Sequence, residues 1–274
     1  MSGKTILITG CSTGIGYDAA QGLRARGWRV FASCRKLEDC DRLRAEGFES
    51  PRIDYEDSAS ISTGLAEVLE ATGGRLDALF NNGAYAVPGP VEDVTAAALR
   101  TQFEANLIGW HDLTVQVIPV MRAQGAGRIV QCSSVLGVVA MKWRGAYVAT
   151  KFALEGLSDA LRMEMRGTGI EVSLLDVGPI DTRFRANAIQ QFEKWVDWEN
   201  SARAEEYRAS LLQALYKGGK GPQWPPSVVT KTLIQALEHP RPRARYSITP
   251  PTHVMAALRR LLPTRILDWV LAKG

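Results

Sequence analysis

A tyrosine and a lysine four residues apart are the side chains in this sequence best suited to moving a proton. Tyr147 and Lys151 lie within the stretch Gly145-Ala-Tyr-Val-Ala-Thr-Lys-Phe-Ala-Leu-Glu-Gly156. On a helix, residues four apart share one face, so the phenol and the ammonium group can meet. Since a nearby positive charge favours the phenolate, we expect Lys151 to lower the pKa of Tyr147 from about 10 towards the range useful for general acid–base catalysis.

The same spacing occurs a second time, between Tyr216 and Lys220. Gly218 and Gly219 lie between these two side chains, and glycine weakens a helix, so this stretch should not hold them on one face. Spacing alone therefore does not identify a site, and the first pair needs support from the elements around it.

Two hydrophobic patterns alternate along the first half of the chain. Short β-rich runs occupy residues 5–9, 29–33, 76–80, 127–132 and 169–176, and longer stretches with helical spacing occupy residues 15–26, 37–46, 59–71, 96–123 and 146–166. Such alternation is typical of an α/β fold with a parallel sheet covered on both faces. A wholly apolar run such as residues 6–8 fits a central strand that has no face in water.

A glycine-rich turn follows the first of these strands. It reads Thr9-Gly-Cys-Ser-Thr-Gly-Ile-Gly16, with the spacing G-x-x-x-G-x-G, and opens a helix. Gly10 permits a sharp turn, Gly14 lets the backbone approach a pyrophosphate, and Gly16 lets the helix pack closely on the strand. The helix N terminus adds N–H groups and a positive dipole end. An ordinary strand-to-helix turn is the alternative, but the position on the first strand favours a nucleotide site.

With this turn and the tyrosine–lysine pair, the chain resembles the short-chain dehydrogenase/reductase family, whose glycine motif is T-G-x-x-x-G-x-G. The resemblance covers residues 4–183 strongly and the remainder loosely. It implies a Rossmann-type, doubly wound parallel sheet in a single domain, with the nucleotide-binding core and catalytic residues in 1–183. Residues 184–274 would form a C-terminal extension with a helical substrate lid, a last strand and a terminal amphipathic helix. The branch it resembles contains hydroxysteroid and retinol dehydrogenases and bacterial NADP-dependent carbonyl reductases.

The resemblance implies four catalytic residues: Asn106, Ser134, Tyr147 and Lys151. Ser134 ends an apolar strand 13 residues before Tyr147, where α/β sites form, and Ser133 is the neighbouring, more structural candidate. Tyr147 would protonate a carbonyl oxygen or take an alcohol proton, and Ser134 would hydrogen-bond that oxygen. Lys151 would bind the nicotinamide ribose and tune Tyr147. Asn106 would hold a water in the proton relay; its alternative is a solvated helix face.

Two segments depart from the family pattern. Asn81-Asn-Gly-Ala84 replaces the family's Asn-Asn-Ala-Gly, and Val177-Gly178 replaces its Pro-Gly. Both small residues of the first segment still permit close approach of the adenosine ribose, and the resemblance implies a stabilising role for Asn81. Replacement of the proline by Val177 puts the rigidity of this backbone segment in doubt. Gly178 still permits the close approach of the cofactor, and the resemblance implies that Thr182 contacts the nicotinamide carboxamide.

The residues after the second strand bear on the choice of nicotinamide cofactor. Arg35 and Lys36 lie where an NAD site has a carboxylate that binds the ribose 2′-OH, and no acidic residue appears before Glu38. Arg35 offers a fork of donors to a 2′-phosphate, and Ser12 can add a hydroxyl, so we expect NADP(H). Asp54, ending a third strand, matches the family's adenine-binding aspartate. The implied cofactor contacts are Gly10, Ser12, Thr13, Gly14, Ile15, Gly16, Arg35, Asp54, Asn81, Gly83, Tyr147, Lys151, Gly178, Ile180 and Thr182.

A mostly apolar wall between Ser134 and Tyr147 indicates the substrate class. It includes Trp143, and we expect substrate contacts from Ser134, Trp143 and Tyr147. The insertion at 185–226 would form a lid over the pocket. Its aromatic residues either line a cavity for a bulky apolar carbonyl compound or pack the lid onto the body: Phe192, Trp195, Trp198 and Trp224.

The remaining composition excludes several classes of protein. With 33 basic and 29 acidic side chains, the net charge of +4 on 274 residues is too weak to predict nucleic-acid binding. The three histidines lie far apart, so no metal site is expected. The four cysteines lack C-x-x-C spacing and predict buried thiols in a reducing compartment, and no signal or spanning helix is seen, which predicts a cytoplasmic protein.

Three hypotheses for the function follow. The main one is an NADP(H)-dependent oxidoreductase acting on hydrophobic ketones, aldehydes or secondary alcohols, including steroid- or retinoid-like compounds. A non-catalytic NADPH-binding, redox-sensing regulator on the same fold is the alternative. The third is a membrane-surface protein working through the basic amphipathic helix 252–273, which otherwise packs on the body or on a second subunit. By family analogy we expect a homodimer or homotetramer.

Overall fold

Six parallel strands form one sheet in the computed structural model, which describes residues 3–218 and 221–272. The strands are β1 (Thr5–Ile8), β2 (Arg29–Ala32), β3 (Ala78–Asn81), β4 (Gly127–Ser134), β5 (Ile170–Val177) and β6 (Arg245–Ile248). Their order is β2-β1-β3-β4-β5-β6, and every neighbouring pair is parallel. The chain changes direction across the sheet between β1 and β3, which creates a crevice at the carboxyl ends of these strands. The predicted α/β, doubly wound sheet is confirmed.

Eleven α-helices connect and cover the strands of the described residues. They are α1 (Gly14–Ala25), α2 (Leu37–Ala45), α3 (Ser58–Thr72), α4 (Ala96–Phe103), α5 (Gly109–Gln124), α6 (Gly145–Glu164), α7 (Phe184–Trp195), α8 (Ala204–Glu206), α9 (Ser227–Glu238), α10 (Pro250–Leu261) and α11 (Thr264–Leu271). Helix α1 packs beside α9, whereas α3 packs with α5, and α4 with α6. Strands β1 and β3 are buried along their whole length, as the apolar runs predicted.

The strand that was expected to end at Asp54 is not formed. Only two isolated bridges join this segment to the edge of β2, between Phe31 and Glu49 and between Cys34 and Arg52. Pro51 lies between the bridges and has no N–H group to continue the ladder. The prediction of a third strand here was therefore wrong, although Asp54 still follows the bridged edge of the sheet.

The single helix expected over 96–123 is divided by a π-helical turn. The turn, Glu104–Ile108, lies between α4 and α5 and contains Asn106. Just after it, a Cβ atom on Gly109 would lie 2.3 Å from the carbonyl oxygen of Tyr55, so only glycine fits this approach. Single π-helical turns inside α-helices are frequent at functional sites.

The lid, defined here as residues 184–217, packs around one buried tyrosine. The ring of Tyr207 lies 6.0 Å from that of Phe192, 6.2 Å from that of Trp198 and 5.5 Å from that of Trp143. Its hydroxyl donates to Asp93 Oδ2 at 2.8 Å. Trp195 is a half-buried neighbour of the same cluster. Of the two alternatives for these aromatic residues, packing of the lid onto the body is the one observed.

The backbone of Trp224 is hydrogen-bonded to the segment that follows β5. Its N–H donates to the carbonyl of Pro179 at 3.0 Å, and its own carbonyl accepts from the N–H of Asp181 at 2.8 Å. Trp224, near the end of the 185–226 insertion, thereby holds the backbone of residues 179–181 in place. Gly219 and Lys220, which belong to the second tyrosine–lysine spacing, lie outside the described residues.

The C-terminal helices are partly packed and partly exposed. A break at Pro263 separates α10 from α11 within the predicted helix 252–273, and Lys273 lies outside the described residues. Thr252 and Leu267 are buried, whereas Leu261 and Trp269 are 77% and 62% exposed. In the part of the chain that the structure describes, no helix is both long and apolar enough to span a bilayer. All four cysteines are buried free thiols, as predicted.

Two glycines allow a matched test of packing. A Cβ atom on Gly178 would lie 2.1 Å from Thr249 Oγ1 and 2.7 Å from Thr252 Oγ1, whereas one on Gly156 in α6 would meet nothing within 4 Å. We expect Gly178→Ala to lower the free energy of unfolding by about 1–3 kcal/mol through overpacking. Gly156→Ala should raise it by about 0.5–1 kcal/mol. Urea unfolding followed by circular dichroism measures both, and equal midpoints for Gly178→Ala and wild type would contradict the packing argument.

Candidate active site

The glycine turn faces two other segments that the sequence placed at the site. Gly10 and Gly14 have φ angles of +67° and +63°, the left-handed region that favours glycine. A Cβ atom on Gly10 would lie 2.6 Å from Gly83 Cα, and one on Gly14 would lie 2.9 Å from Thr182 Cγ2. The Thr13 side chain makes no capping hydrogen bond at the start of α1, which leaves the first N–H groups of the helix open to a ligand.

Close packing behind the turn explains the third glycine. A Cβ atom on Gly16 would lie 2.4 Å from the carbonyl oxygen of Gly10. Asn82, which the sequence analysis passed over, donates through Nδ2 to the Thr9 carbonyl at 3.0 Å, and its N–H donates to Thr9 Oγ1 at 2.9 Å. The turn is thus tied to the end of β3, even though the small residues after Asn82 are exchanged relative to the family pattern.

Asn81 acts inside the protein rather than on its surface. It is fully buried, and its Nδ2 donates to Thr114 Oγ1 and Gln131 Oε1, both at 3.0 Å. Its Oδ1 accepts from the Tyr55 hydroxyl at 2.6 Å. The side chain therefore holds the switch point together, which agrees with a stabilising role and leaves no amide group free for a ligand.

Ser134 and Tyr147 meet at the carboxyl end of β4. The Ser134 side chain lies close enough to the Tyr147 phenol to lower its pKa, and its Oγ accepts from the N–H of Leu136 at 3.1 Å. Tyr147 is 8% exposed on the buried face of α6. The hydroxyl of Ser133 instead lies near a different residue, Gly137. Ser134 is accordingly the serine that contacts the tyrosine.

Lys151 lies one turn further along the same face and is only 1% exposed. Its Nζ donates to the Cys132 carbonyl at 2.8 Å and lies 4.2 Å from the Trp110 ring centroid. The distance from Nζ to the Tyr147 ring centroid is 5.7 Å. Tyr147 and Lys151 therefore lie on one helix face, as their spacing predicted.

The expected lowering of the Tyr147 pKa is wrong in this structure. Burial raises the pKa of Tyr147, and the nearby Ser134 hydroxyl and the positive charge of Arg144 only partly oppose that rise. Lys151 cannot offset it, because its ammonium group is directed at the Cys132 carbonyl, and burial lowers the pKa of Lys151 to about 8. The half-buried Arg144, three residues before Tyr147, is a cation that the sequence analysis missed.

Asn106 is fully buried, so it is not on a solvated helix face. Its Nδ2 donates to the Tyr85 carbonyl at 2.8 Å and to Thr150 Oγ1 at 3.4 Å, and its Oδ1 accepts from the Tyr85 N–H at 3.1 Å. Gln102 binds the same loop, donating to the Tyr85 carbonyl and accepting from the Val87 N–H. These two amides fix the loop after β3 against α6. The water-holding role of Asn106 stays a prediction.

Apolar side chains surround the phenol of Tyr147. The Phe184 ring meets the Tyr147 ring edge-on at a centroid distance of 5.4 Å, and Leu136 packs against the same cluster. Trp143 instead packs against Tyr207 in the lid and has a φ angle of +68°. Phe184, which the sequence analysis did not select, is therefore an aromatic neighbour of Tyr147, and Trp143 is a lid-packing residue.

Positive side chains gather beyond the end of β2. Arg35 and Lys36 are exposed there and line an open depression together with Arg52 and Asp54. Arg42 of α2, which the sequence analysis missed, donates to the Ser12 carbonyl at 2.6 Å. The depression thus carries three cations, and three carboxylates line it as well: Glu38, Asp54 and Glu56.

Comparison with known proteins gives consistent matches. A profile of the family described as short chain dehydrogenase matches residues 4–193. The chain is 39% identical over 269 residues to the uncharacterized oxidoreductase YbbO of Escherichia coli strain K12, covering 98% of this chain and 94% of the relative. It is 30% identical over 264 residues to human 17-beta-hydroxysteroid dehydrogenase type 1, covering 91% of this chain and 78% of the relative. A solved short chain dehydrogenase/reductase of Burkholderia phymatum in complex with NAD is similar at a TM-score of 0.79 and 25% identity, covering 98% and 95%.

The buried Lys151 predicts a specific pH dependence of stability. Its pKa is about 8 in the folded protein against 10.5 for an ordinary lysine, so folding disfavours its charged form. The resulting loss of stability is complete below pH 8 and disappears as the pH rises to 10.5. We expect the free energy of unfolding of wild type to rise relative to Lys151→Met by up to about 3 kcal/mol over this window.

Urea unfolding at a series of pH values measures this difference. The exposed Lys231 provides the matched control, because Lys231→Met should follow the wild-type curve throughout. Parallel curves for wild type and Lys151→Met would show that Lys151 keeps an ordinary pKa.

Proposed function

We propose, because this chain belongs to the short-chain dehydrogenase/reductase family, that it is an NADP(H)-dependent oxidoreductase of hydrophobic carbonyl compounds and the corresponding alcohols. That the chain is an oxidoreductase of this family follows from the profile match and from its relatives. The cofactor, the substrate class and the catalytic role of Tyr147 are the proposal. The observation that carries it is the Ser134 hydroxyl beside the Tyr147 phenol, with Lys151 on the same helix face, near a glycine turn shaped for a dinucleotide.

The residues present fit a nicotinamide dinucleotide. The left-handed Gly10 and Gly14 leave room that a Cβ atom would fill, and the start of α1 offers free N–H groups to a pyrophosphate. Thr182 lies over the turn, and Lys151 provides an ammonium group beside Tyr147. When bound, the cofactor supplies or accepts the hydride, while the protein supplies position and electrostatics.

The state of Tyr147 suits proton donation. Because burial raises its pKa, the phenol is protonated at neutral pH and can give its proton to a carbonyl oxygen. Ser134 would donate a second hydrogen bond to the same oxygen and stabilise its developing negative charge. Arg144 favours the phenolate that remains after proton transfer. The apolar side chains of Leu136 and Phe184 would exclude water and accommodate a hydrophobic substrate.

The proposed preference for NADP(H) comes from charge at the end of β2. Arg35 and Lys36 are exposed beside the glycine turn, and Arg42 touches the backbone of Ser12. A 2′-phosphate carries about two negative charges and takes charge-assisted hydrogen bonds from such groups. Three carboxylates line the same depression and would favour NAD instead, namely Glu38, Asp54 and Glu56, and one structural relative is described in complex with NAD.

The alternative of a non-catalytic NADPH-binding regulator is weaker. A regulator does not need a serine beside a tyrosine within an apolar cluster, yet both are present. The cytoplasmic location, the homodimer or homotetramer, the apolar small-molecule partner and any membrane contact through α10 and α11 stay predictions.

The first test is turnover. We expect oxidation of NADPH with a panel of apolar ketones and aldehydes, followed by absorbance, and a loss of at least about 100-fold in kcat for Tyr147→Phe because the proton donor is removed. Tyr216→Phe is the matched control: Tyr216 is 51% exposed on the lid, and its replacement should leave turnover intact. NADPH binding without turnover on any substrate, in wild type and Tyr147→Phe alike, would favour the regulator.

The second test concerns the cofactor. We expect Arg35→Glu to lower kcat/KM for NADPH by about 10- to 100-fold, because a charge-assisted hydrogen bond is worth about 1.5–3 kcal/mol. The value for NADH should change little. Arg241→Glu, at an exposed site, controls for the change in net charge. An equal effect of Arg35→Glu on NADPH and NADH would contradict recognition of the 2′-phosphate at this residue.

A further inference from the structure

Two carboxyl groups meet beneath the catalytic helix. Glu155 follows Lys151 by one helical turn on the buried face of α6 and is 7% exposed. Asp176, 2% exposed, lies near the end of β5, in register with Ser133 of β4 and Ser247 of β6. The proposed reaction does not use either carboxyl group.

Each carboxyl group has one buried oxygen atom with no hydrogen-bond donor among the described residues. Glu155 Oε2 accepts from Arg245 Nε at 2.9 Å. Glu155 Oε1 and Asp176 Oδ1 are buried and find no N–H or hydroxyl partner among the described residues. The charge of Glu155 acts on Asp176, so the two carboxyl groups share one buried place, and two carboxyl groups that share such a place hold a proton on one of them.

The surrounding charges point to the same conclusion. In the described part of the chain, the cation that contacts the pair is Arg245, and it also donates to Asp159 Oδ2 at 2.6 Å. Asp159 has a second partner in Arg162. One proton on the pair leaves a single negative charge facing Arg245, whereas two ionised carboxylates would leave an excess negative charge in a buried place.

We propose that Glu155 and Asp176 share one proton and that this hydrogen-bonded pair positions the catalytic helix against β5. Helix α6 carries Tyr147 and Lys151 on the same face as Glu155, and β5 leads directly into the segment that ends at Thr182. The pair therefore links the proposed acid and its lysine to the segment that lies over the glycine turn. The positioning role rests on the proposed function, whereas the shared proton does not.

The other titratable groups near the pair lie on α6, β6 and β4. On α6 they are Lys151 and Asp159, β6 brings Arg245, and β4 brings the Cys132 thiol, whose pKa burial raises to about 11. The charged side chains of α10 are exposed: His253, Arg259 and Arg260. Burial first, and then the charge of Glu155, raise the pKa of Asp176 to about 8.

The raised pKa of Asp176 makes the folded protein less stable as the pH rises. A carboxyl group with a raised pKa binds its proton more tightly in the folded state than in the unfolded state. Its contribution to stability is therefore complete below the unfolded pKa of about 3.9 and is lost as the pH rises through 8. Lys151 acts in the separate window between pH 8 and 10.5. The two effects can thus be distinguished.

The first experiment measures unfolding of the full chain in urea between pH 5 and 8. In wild type, the unfolding equilibrium constant should rise about tenfold per pH unit relative to Glu155→Gln and Asp176→Asn, because the amide keeps the hydrogen bond without a proton that can dissociate. Asp159→Asn, which alters the other partner of Arg245, should retain the wild-type dependence. Parallel curves for wild type and both amide variants would overturn the shared proton.

The second experiment needs only wild-type protein, so it remains decisive if a variant does not fold. Infrared spectra at pH 7 should show a carbonyl band of a protonated carboxyl group, which disappears between pH 7 and 9. Ordinary aspartates and glutamates are ionised throughout this range and give no such band. Absence of the band at pH 7 would overturn the proposal.

The positioning role is tested by kinetics once turnover is established. We expect Glu155→Leu, which removes the hydrogen bond, to lower kcat at least about tenfold and to displace its pH profile. Glu155→Gln, which keeps the hydrogen bond, should restore kcat and remove the alkaline decline between pH 7 and 8.5. Equal profiles for wild type and both variants would overturn positioning. Failure of the wild type to turn over would instead count against the proposed function, with the infrared result unaffected.

Discussion

The buried polar face of α6 is the constraint on which this structure depends. Three ionisable side chains, at positions 147, 151 and 155, follow one another at single-turn intervals where the helix packs against the sheet. Burying such groups costs free energy unless each is paired or neutralised. Tyr147 stays protonated beside Ser134, Lys151 donates to the Cys132 carbonyl, and Glu155 contacts Arg245 and Asp176. A site for proton transfer is thus built from groups that the fold stabilises in different ways.

Close approach of backbones at the switch point is the second constraint. The turn at Gly10 and Gly14 closely approaches Gly83 and Thr182, so three segments distant in the sequence converge around the start of α1. Behind them, the fully buried amide of Asn81 joins neighbouring elements. This rigid support leaves the helix N terminus open towards the crevice, where a dinucleotide would bind.

The lid and the loop after β3 are fastened by polar groups within apolar clusters. Tyr207, fully buried among aromatic rings, donates to Asp93, and the buried amides of Gln102 and Asn106 hold the backbone at Tyr85. Each bond satisfies a polar atom that would otherwise be buried without a partner. The apolar cluster around Tyr147 is consequently bordered by segments with defined positions.

Local patterns in the sequence were sufficient for the sheet, for the glycine turn and for the shared face of Tyr147 and Lys151, because periodicity and short spacing act through the backbone of single elements. They failed where a proline interrupted pairing before Asp54, and where a π-helical turn divided the helix around Asn106. The raised pKa of Tyr147, the pairing of Glu155 with Asp176 and the packing of Trp143 into the lid were decided by tertiary structure alone. Burial and electrostatics depend on neighbours brought from distant parts of the chain, and no local spacing encodes them.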